Sequence, residues 1–136
     1  MRSIVLDNEA IQALTDAGSR KHRVVVAHLA GVVARRRRGR VVEVVVPTAV
    51  RVEAGWDRTT PSAAAINRFG VLDHVLDSPC ADLAARIQRA TSTGVADAHI
   101  GATVRSLSSS EIVVLTSDPT DIAAVCSPSP VRIVNL

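Results

Sequence analysis

Short runs of Val, Ile and Leu recur along the chain with helix-length segments between them, and that alternation constrains the fold more than any other feature. The runs are Ser3–Leu6, Val41–Val46, Val71–Leu76, Ile112–Thr116 and Val131–Val134. Most are continuously apolar rather than alternating with polar residues. That pattern belongs to strands covered on both faces of a parallel sheet. The intervening segments read as helices over Asn8–Asp16, Arg20–Arg38, Pro47–Asp57, Pro61–Arg68, Pro79–Thr91, Val95–Leu107 and Pro119–Val125. Thr60-Pro61, Ser78-Pro79 and Asp118-Pro119 each set a capping side chain before a proline suited to the first helical turn. Strand and helix in alternation predict an α/β fold with right-handed crossovers and a mainly parallel central sheet of about five strands flanked by helices. A length of 136 residues suits one domain, 1–136, without staples.

Composition removes whole classes of function. Phe69 and Trp56 are the only aromatic residues, so the core must be aliphatic, and RNA reading by stacked aromatic rings is nearly excluded. Contact with phosphates through arginine stays open, because Lys21 is the single lysine among 16 basic residues. The longest apolar stretch, Val24–Ala34, contains His28 and is flanked by arginines; it falls short of the about 20 residues a membrane span needs. Asp7 interrupts the N-terminal apolar run, so a secretory segment is not expected and the cytoplasm is the default location. Cys80 and Cys126 form no CxxC, which argues against a disulfide framework or a zinc site.

In an open α/β sheet, ligands bind beyond the carboxyl ends of the strands. Acids collect there. Asp7 ends the first strand. Glu53 lies on the helix after the second, on a face with Ala49 and Val50. Asp97 interrupts the small, apolar segment Val95-Ala96-Asp97-Ala98-His99-Ile100-Gly101-Ala102. Thr116-Ser117-Asp118 ends the fourth strand, and Asp121 follows one turn on. Carboxylates gathered in a core-like setting repel one another and resist desolvation, so either some stay protonated or a divalent cation neutralises them. Hard oxygen donors favour Mg²⁺ or Mn²⁺ over zinc. One or two such ions beside a basic surface suit phosphodiester hydrolysis.

The ordered set Ile4-Val5-Leu6-Asp7, Pro47-Thr48-Ala49-Val50-Arg51-Val52-Glu53, Ala96-Asp97-Ala98-His99-Ile100-Gly101-Ala102-Thr103 and Val114-Leu115-Thr116-Ser117-Asp118-Pro119-Thr120-Asp121 resembles the PIN-domain nucleases. Within them it is similar to the VapC-type ribonuclease toxins of bacterial toxin–antitoxin pairs. The resemblance covers essentially the whole chain. It implies a Rossmann-like PIN domain and a Mg²⁺- or Mn²⁺-dependent endoribonuclease cutting structured RNA, a tRNA or an exposed rRNA loop. Such an enzyme inhibits translation and is neutralised by a cognate antitoxin peptide covering its groove; a homodimer is also implied. Carried over by position, Asp7, Glu53, Asp97 and Asp118 form the catalytic site. Asp7, Asp97, Asp118 and Asp121 hold metal, and Thr116 supports the site. Asn8 stands where the family more often has Ser or Thr, and the arginine run Arg35–Arg38 is outside the family pattern.

Each of these residues also has a plainer reading. Asp118 and Asp7 are good N-caps, and capping is compatible with a site role. Glu53 by itself is an ordinary solvated helix residue, and Asp97 could lie at an exposed helix edge near Thr93-Gly94. His99, two residues from Asp97, points to another side of the helix and reads as structural or partner-facing. His22, His28 and His74 show no partner spacing, and the cysteines read as small hydrophobes. Arg35, Arg36, Arg37, Arg38 and Arg40 suit either a solvated helix C-terminus or a contact with RNA phosphates or an acidic partner. Val24–Ala34 is apolar nearly all round, so it packs into the core or is partly covered by a dimer mate or an antitoxin peptide.

Two rival functions compete with the nuclease. A receiver-type signalling module shares the small α/β form and a strand-end Asp, but it needs a late strand-end Lys, and no lysine follows Lys21. A catalytically silent nucleic-acid- or partner-binding PIN-like module keeps the fold without the chemistry; four acids in order argue against it. Nucleotide-binding glycine motifs are absent.

Overall fold

Chain elements follow from where apolar residues run continuously and where they are interrupted. The structure, a computed structural model, describes residues 1–136. It contains β1 (Arg2–Leu6), α1 (Asn8–Thr15), α2 (His22–Arg37), β2 (Val42–Pro47), α3 (Thr48–Ala54), a 3₁₀ turn (Pro61–Ala63) leading into α4 (Ala64–Asn67), β3 (Val71–His74), α5 (Ser78–Thr91), α6 (Val95–Ser106), β4 (Glu111–Thr116), α7 (Pro119–Cys126) and β5 (Arg132–Asn135). All five strands are parallel, in the order β3-β2-β1-β4-β5. The three inner strands are those with the longest apolar runs. Nearly every residue of β1, β2 and β4 is buried, whereas β3 and β5 are edges with mixed exposure. That is the burial expected of a sheet covered on both faces. Helix α1 packs against α2 and α4; α5, α6 and α7 pack on one another, and α3 touches α1 and α6.

Several element limits depart from the sequence reading for local reasons. Pro47 is the last residue of β2, not the start of a helix; it pairs with His74 of β3, where its missing N–H is tolerated at a strand end. α3 stops at Gly55, whose φ of 65° only glycine adopts freely. Asp77, rather than Ser78, caps α5, accepting from the Cys80 amide at 2.9 Å. The segment Pro61–Arg68 divides into a 3₁₀ turn and a single short helix.

The helix buried nearly all round is α6, not α2. Ala96 and every residue from Ala98 to Val104 are buried. Gly101 explains how α6 approaches α7 so closely. A Cβ there would fall on the Val125 carbonyl and lie 2.9 Å from the Val125 Cβ. α2 buries Val25, Leu29 and Val32, leaving Val24, Ala27, Ala30 and Ala34 exposed. No helix is long and apolar enough to cross a membrane.

Buried Trp56 sits between the guanidinium groups of Arg51 and Arg58, at 5.2 and 4.4 Å, and both arginines bond Asp73 on β3. The tryptophan thus fastens the segment after α3 to the sheet edge and offers no face for a stacked base.

Candidate active site

The sheet order reverses between β1 and β4, and this switch point is where an open α/β sheet forms a crevice at its carboxyl ends. In-register pairing of Leu6 with Leu115 puts Asp7 beside Thr116. Asp7 is almost fully buried. One carboxylate oxygen accepts from the Asn8 amide at 2.6 Å and the other from the Thr116 hydroxyl at 2.6 Å. Thr116 in turn accepts from the Asp118 amide at 3.0 Å, so one buried hydroxyl ties the ends of β1 and β4 together. Asp7 caps α1 and Asp118 caps α7, the latter accepting from the Asp121 amide at 3.4 Å. Capping and site geometry therefore coexist at both positions.

Asp97 reaches the same crevice from the first turn of α6. Carboxylate oxygens of Asp97, Asp118 and Asp121 lie within 4.8 Å of one another. Asp7, buried at the end of β1, and Glu53, exposed on α3, are outside that group of three. Burial pushes the Asp97 carboxyl up to about 6, and every charge acting on it is negative: Asp7, Asp121, Glu53 and Asp118. Burial likewise raises Asp7, against the two hydrogen bonds that favour its anion, and Asp118 and Glu9 raise it further. Asp118 raises Asp121. Five acids named from sequence thus act on one another electrostatically, although only three bring oxygens together.

Negative charge at this density calls for a proton or a cation. Oxygen donors from three aspartates, with no histidine or thiol among them, suit Mg²⁺ or Mn²⁺. A groove of about 480 Å³ opens beside the acids between α3 and α6, lined by Thr48, Ala49, Val52, Glu53, Leu76, Val95 and Ala96.

The arginine run lies elsewhere. It does not supply the basic surface expected beside the acids: α2 ends at Arg37 and β2 begins at Val42, so the run sits at the amino ends of the strands. There Arg35 and Arg40 line a cavity of about 430 Å³ with Met1, Arg2, Val41, Val42, Ser110 and Glu111. Six strand residues at about 3.3 Å each put roughly 20 Å between this pole and the acids. Arg36 is structural. It donates to the Val42 carbonyl at 3.0 Å and the Phe69 carbonyl at 2.7 Å. Arg35, Arg37, Arg38 and Arg40 form no ion pair.

His99 is completely buried, accepts from the Ala49 amide at 3.3 Å through Nδ1, and is kept neutral by burial, its value falling to about 4. Sequence spacing missed its neighbours, because His74 and Cys80 come from β3 and α5. The three offer ligand atoms within 4.8 Å of one another.

No protein-family model matches the chain, and no curated protein matches it by sequence. Among solved structures it is similar to a chain of FitAB bound to the IR36 DNA fragment, with a TM-score of 0.59 and 19% identity over 97% of this chain and 94% of that one. The likeness concerns the fold, which is the Rossmann-like PIN fold.

Proposed function

We propose that this chain is a Mg²⁺- or Mn²⁺-dependent endoribonuclease of PIN type, the toxin of an antitoxin-controlled pair. The observation that carries the reading is the crevice at the β1/β4 switch point. Asp97, Asp118 and Asp121 converge there, buried Asp7 acts on Asp97 electrostatically, and Asp97 is held near 6 by burial and by carboxylates alone. Asp97, Asp118 and Asp121 would hold the ion, with Asp7, the fourth metal-holding residue expected from sequence, at the end of β1. When bound, the ion supplies Lewis-acid polarisation of the scissile phosphate and a bound water of lowered pKa. Thr116 orients Asp7 by donating to it, a bond that favours the anion against the burial that disfavours it, and fixes Asp118 through its amide. Glu53 stands apart on the groove wall, free to accept the proton of the attacking water. A backbone phosphate would bind at the ion, with the flanking RNA running along the groove between α3 and α6. The same groove is the seat we assign to an antitoxin segment, whose occupancy would exclude RNA. The exposed Val24–Ala27 side of α2 is the face we assign to a second copy.

FitAB was solved on a DNA fragment. By that likeness, we place this chain in a nucleic-acid-associated assembly with its antitoxin inside the cell. The decisive experiment incubates the purified chain with total cellular RNA in Mg²⁺ or Mn²⁺ and, in parallel, in EDTA, and maps new RNA ends. The reading expects discrete ends in tRNA or an rRNA loop that vanish with EDTA and with Asp97→Asn. RNA bound but never cut in either metal would replace it with the silent binding module. Cleavage that survives EDTA would remove the metal from the mechanism.

A further inference from the structure

A second cluster of ligand atoms lies on the β3 side of α6, and nothing in the proposed nuclease uses it. We propose that His74, Cys80 and His99 form a binding site for a borderline-soft transition cation, zinc above all, separate in chemistry and in residues from the carboxylate crevice. His74 ends β3, Cys80 lies in the first turn of α5, and His99 is in the middle of α6. One ring nitrogen from each histidine and the Cys80 sulfur lie within 4.8 Å of one another. Tetrahedral zinc with bonds of about 2.0–2.3 Å separates its ligands by somewhat less, so a small inward movement completes the set.

Two further observations point to a ligand. His99 is wholly buried, yet its Nε2 has no hydrogen-bond partner. A buried polar atom left without a partner is uncommon; because Nδ1 accepts from Ala49, Nε2 carries the proton, and no protein group competes for this nitrogen once that proton moves. His74 is already arranged as a metal ligand. The Thr103 hydroxyl donates its hydrogen to the His99 carbonyl at 2.8 Å, so at 3.3 Å it can only accept from His74 Nδ1. The proton on Nδ1 leaves the His74 Nε2 lone pair free, with a hydroxyl holding the ring from behind as outer partners of metal-bound histidines do. Asp77 adds a carboxylate charge beside Cys80 and His99, which favours a cation.

Cys80 releases its thiol proton to solvent on forming the metal–sulfur bond. His99 moves its Nε2 proton to Nδ1 and gives up the long bond from the Ala49 amide. One proton is therefore released per ion bound.

Cobalt(II) is the probe, added to untagged full-length chain. The expected result is one equivalent bound, with a thiolate-to-cobalt charge-transfer band, displaced by Zn²⁺ and unaffected by Cys126→Ser or by Asp118→Asn in the acidic crevice. Cys80→Ser and His74→Gln should each abolish the band, and Thr103→Val should weaken binding about 10- to 100-fold. Should Cys80→Ser fail to fold, His74→Gln, at a half-exposed position, carries the test. No charge-transfer band with wild-type chain, or a band that persists in His74→Gln, overturns the proposal. Neither outcome bears on RNA cleavage in Mg²⁺ or Mn²⁺, which is read separately.

Discussion

Replacing Asp97 with Asn should stabilise the metal-free protein while destroying its proposed chemistry. The Asp97 carboxyl is moved from 3.8 to about 6 by burial and by four neighbouring carboxylates. Each pKa unit corresponds to about 1.4 kcal/mol, so a shift of about two units sets a ceiling near 3 kcal/mol. Asp97 is only partly buried, and water screening removes at least half, leaving about 1–1.5 kcal/mol. The sign follows from proton binding. The folded chain holds the Asp97 proton more tightly than the unfolded chain, so folding stability falls as pH rises from 3.8 through about 6 and stays lower above that. Asn carries no charge at any pH and escapes that loss.

At about 2.1 cal/mol/K per residue, 136 residues give an unfolding entropy near 0.29 kcal/mol/K, so the gain corresponds to a Tm higher by about 3–5 °C. The assay is thermal unfolding followed by circular dichroism in EDTA, at pH 7.5 and again below pH 3.8. The difference should be present at the first pH and gone at the second. Excess Mn²⁺ should reverse the order at pH 7.5. Wild-type chain gains about 2.7 kcal/mol at one hundred times the dissociation constant, and the variant, short of one ligand, gains much less. An Asp97→Asn chain no more stable than wild type in EDTA at pH 7.5, or an advantage that persists in acid, would refute the crowding of carboxylates at this site.

Thr116→Val removes the hydroxyl that Asp7 and the Asp118 amide share; unfolding in denaturant should show a loss of about 1–3 kcal/mol, the size of a buried group stripped of its partner. Gly101→Ala should cost about 1–3 kcal/mol by overpacking α6 against α7 and should reduce metal affinity as well, since those helices carry Asp97 and Asp121; calorimetric Mn²⁺ titration reads the second effect. Changing Arg37, Arg38 and Arg40 together to Ser should leave the cleavage rate at saturating RNA unchanged, because the run is at the far pole from the acids. If those arginines touch phosphates, the same triple variant lowers the salt slope of RNA binding by about 0.7 for each phosphate no longer neutralised, and an unchanged slope assigns the run to solvent.

What could be read in the sequence, and what could not, divides along a physical line. Residues whose role depends on their own strand or helix were legible. Continuous burial of β1, β2 and β4 follows from unbroken Val and Ile runs, and the strand-end acids follow because Asp7 and Asp118 close those runs. Thr116 was legible for the same reason. Roles set by which pole of the sheet a segment occupies were not. The arginine run suited either a solvated helix end or a phosphate contact, and chain direction sends the end of α2 to the start of β2 and hence to the pole opposite the acids. α2 and α6 both hold segments apolar nearly all round, and composition alone left open whether the Val24–Ala34 stretch of α2 packs into the core. Gly101, which lets α6 press against α7, is what decides in favour of α6, and its partner Val125 is 24 positions away.

The histidine and cysteine cluster follows the same rule in a stronger form. His74, Cys80 and His99 have no motif spacing because each comes from a different element. Their meeting depends on α5 and α6 packing beside the end of β3. α6 is the element common to both clusters. Asp97 at its first turn faces the hard-donor crevice, and His99, two residues later and about 200° around the helix, faces the nitrogen and sulfur donors. One buried helix thus separates two donor sets of opposite preference. A cation in the wrong set would meet the wrong ligand chemistry, so Mn²⁺ should load the aspartates without the thiolate band, and Co²⁺ at one equivalent should reach Cys80 first.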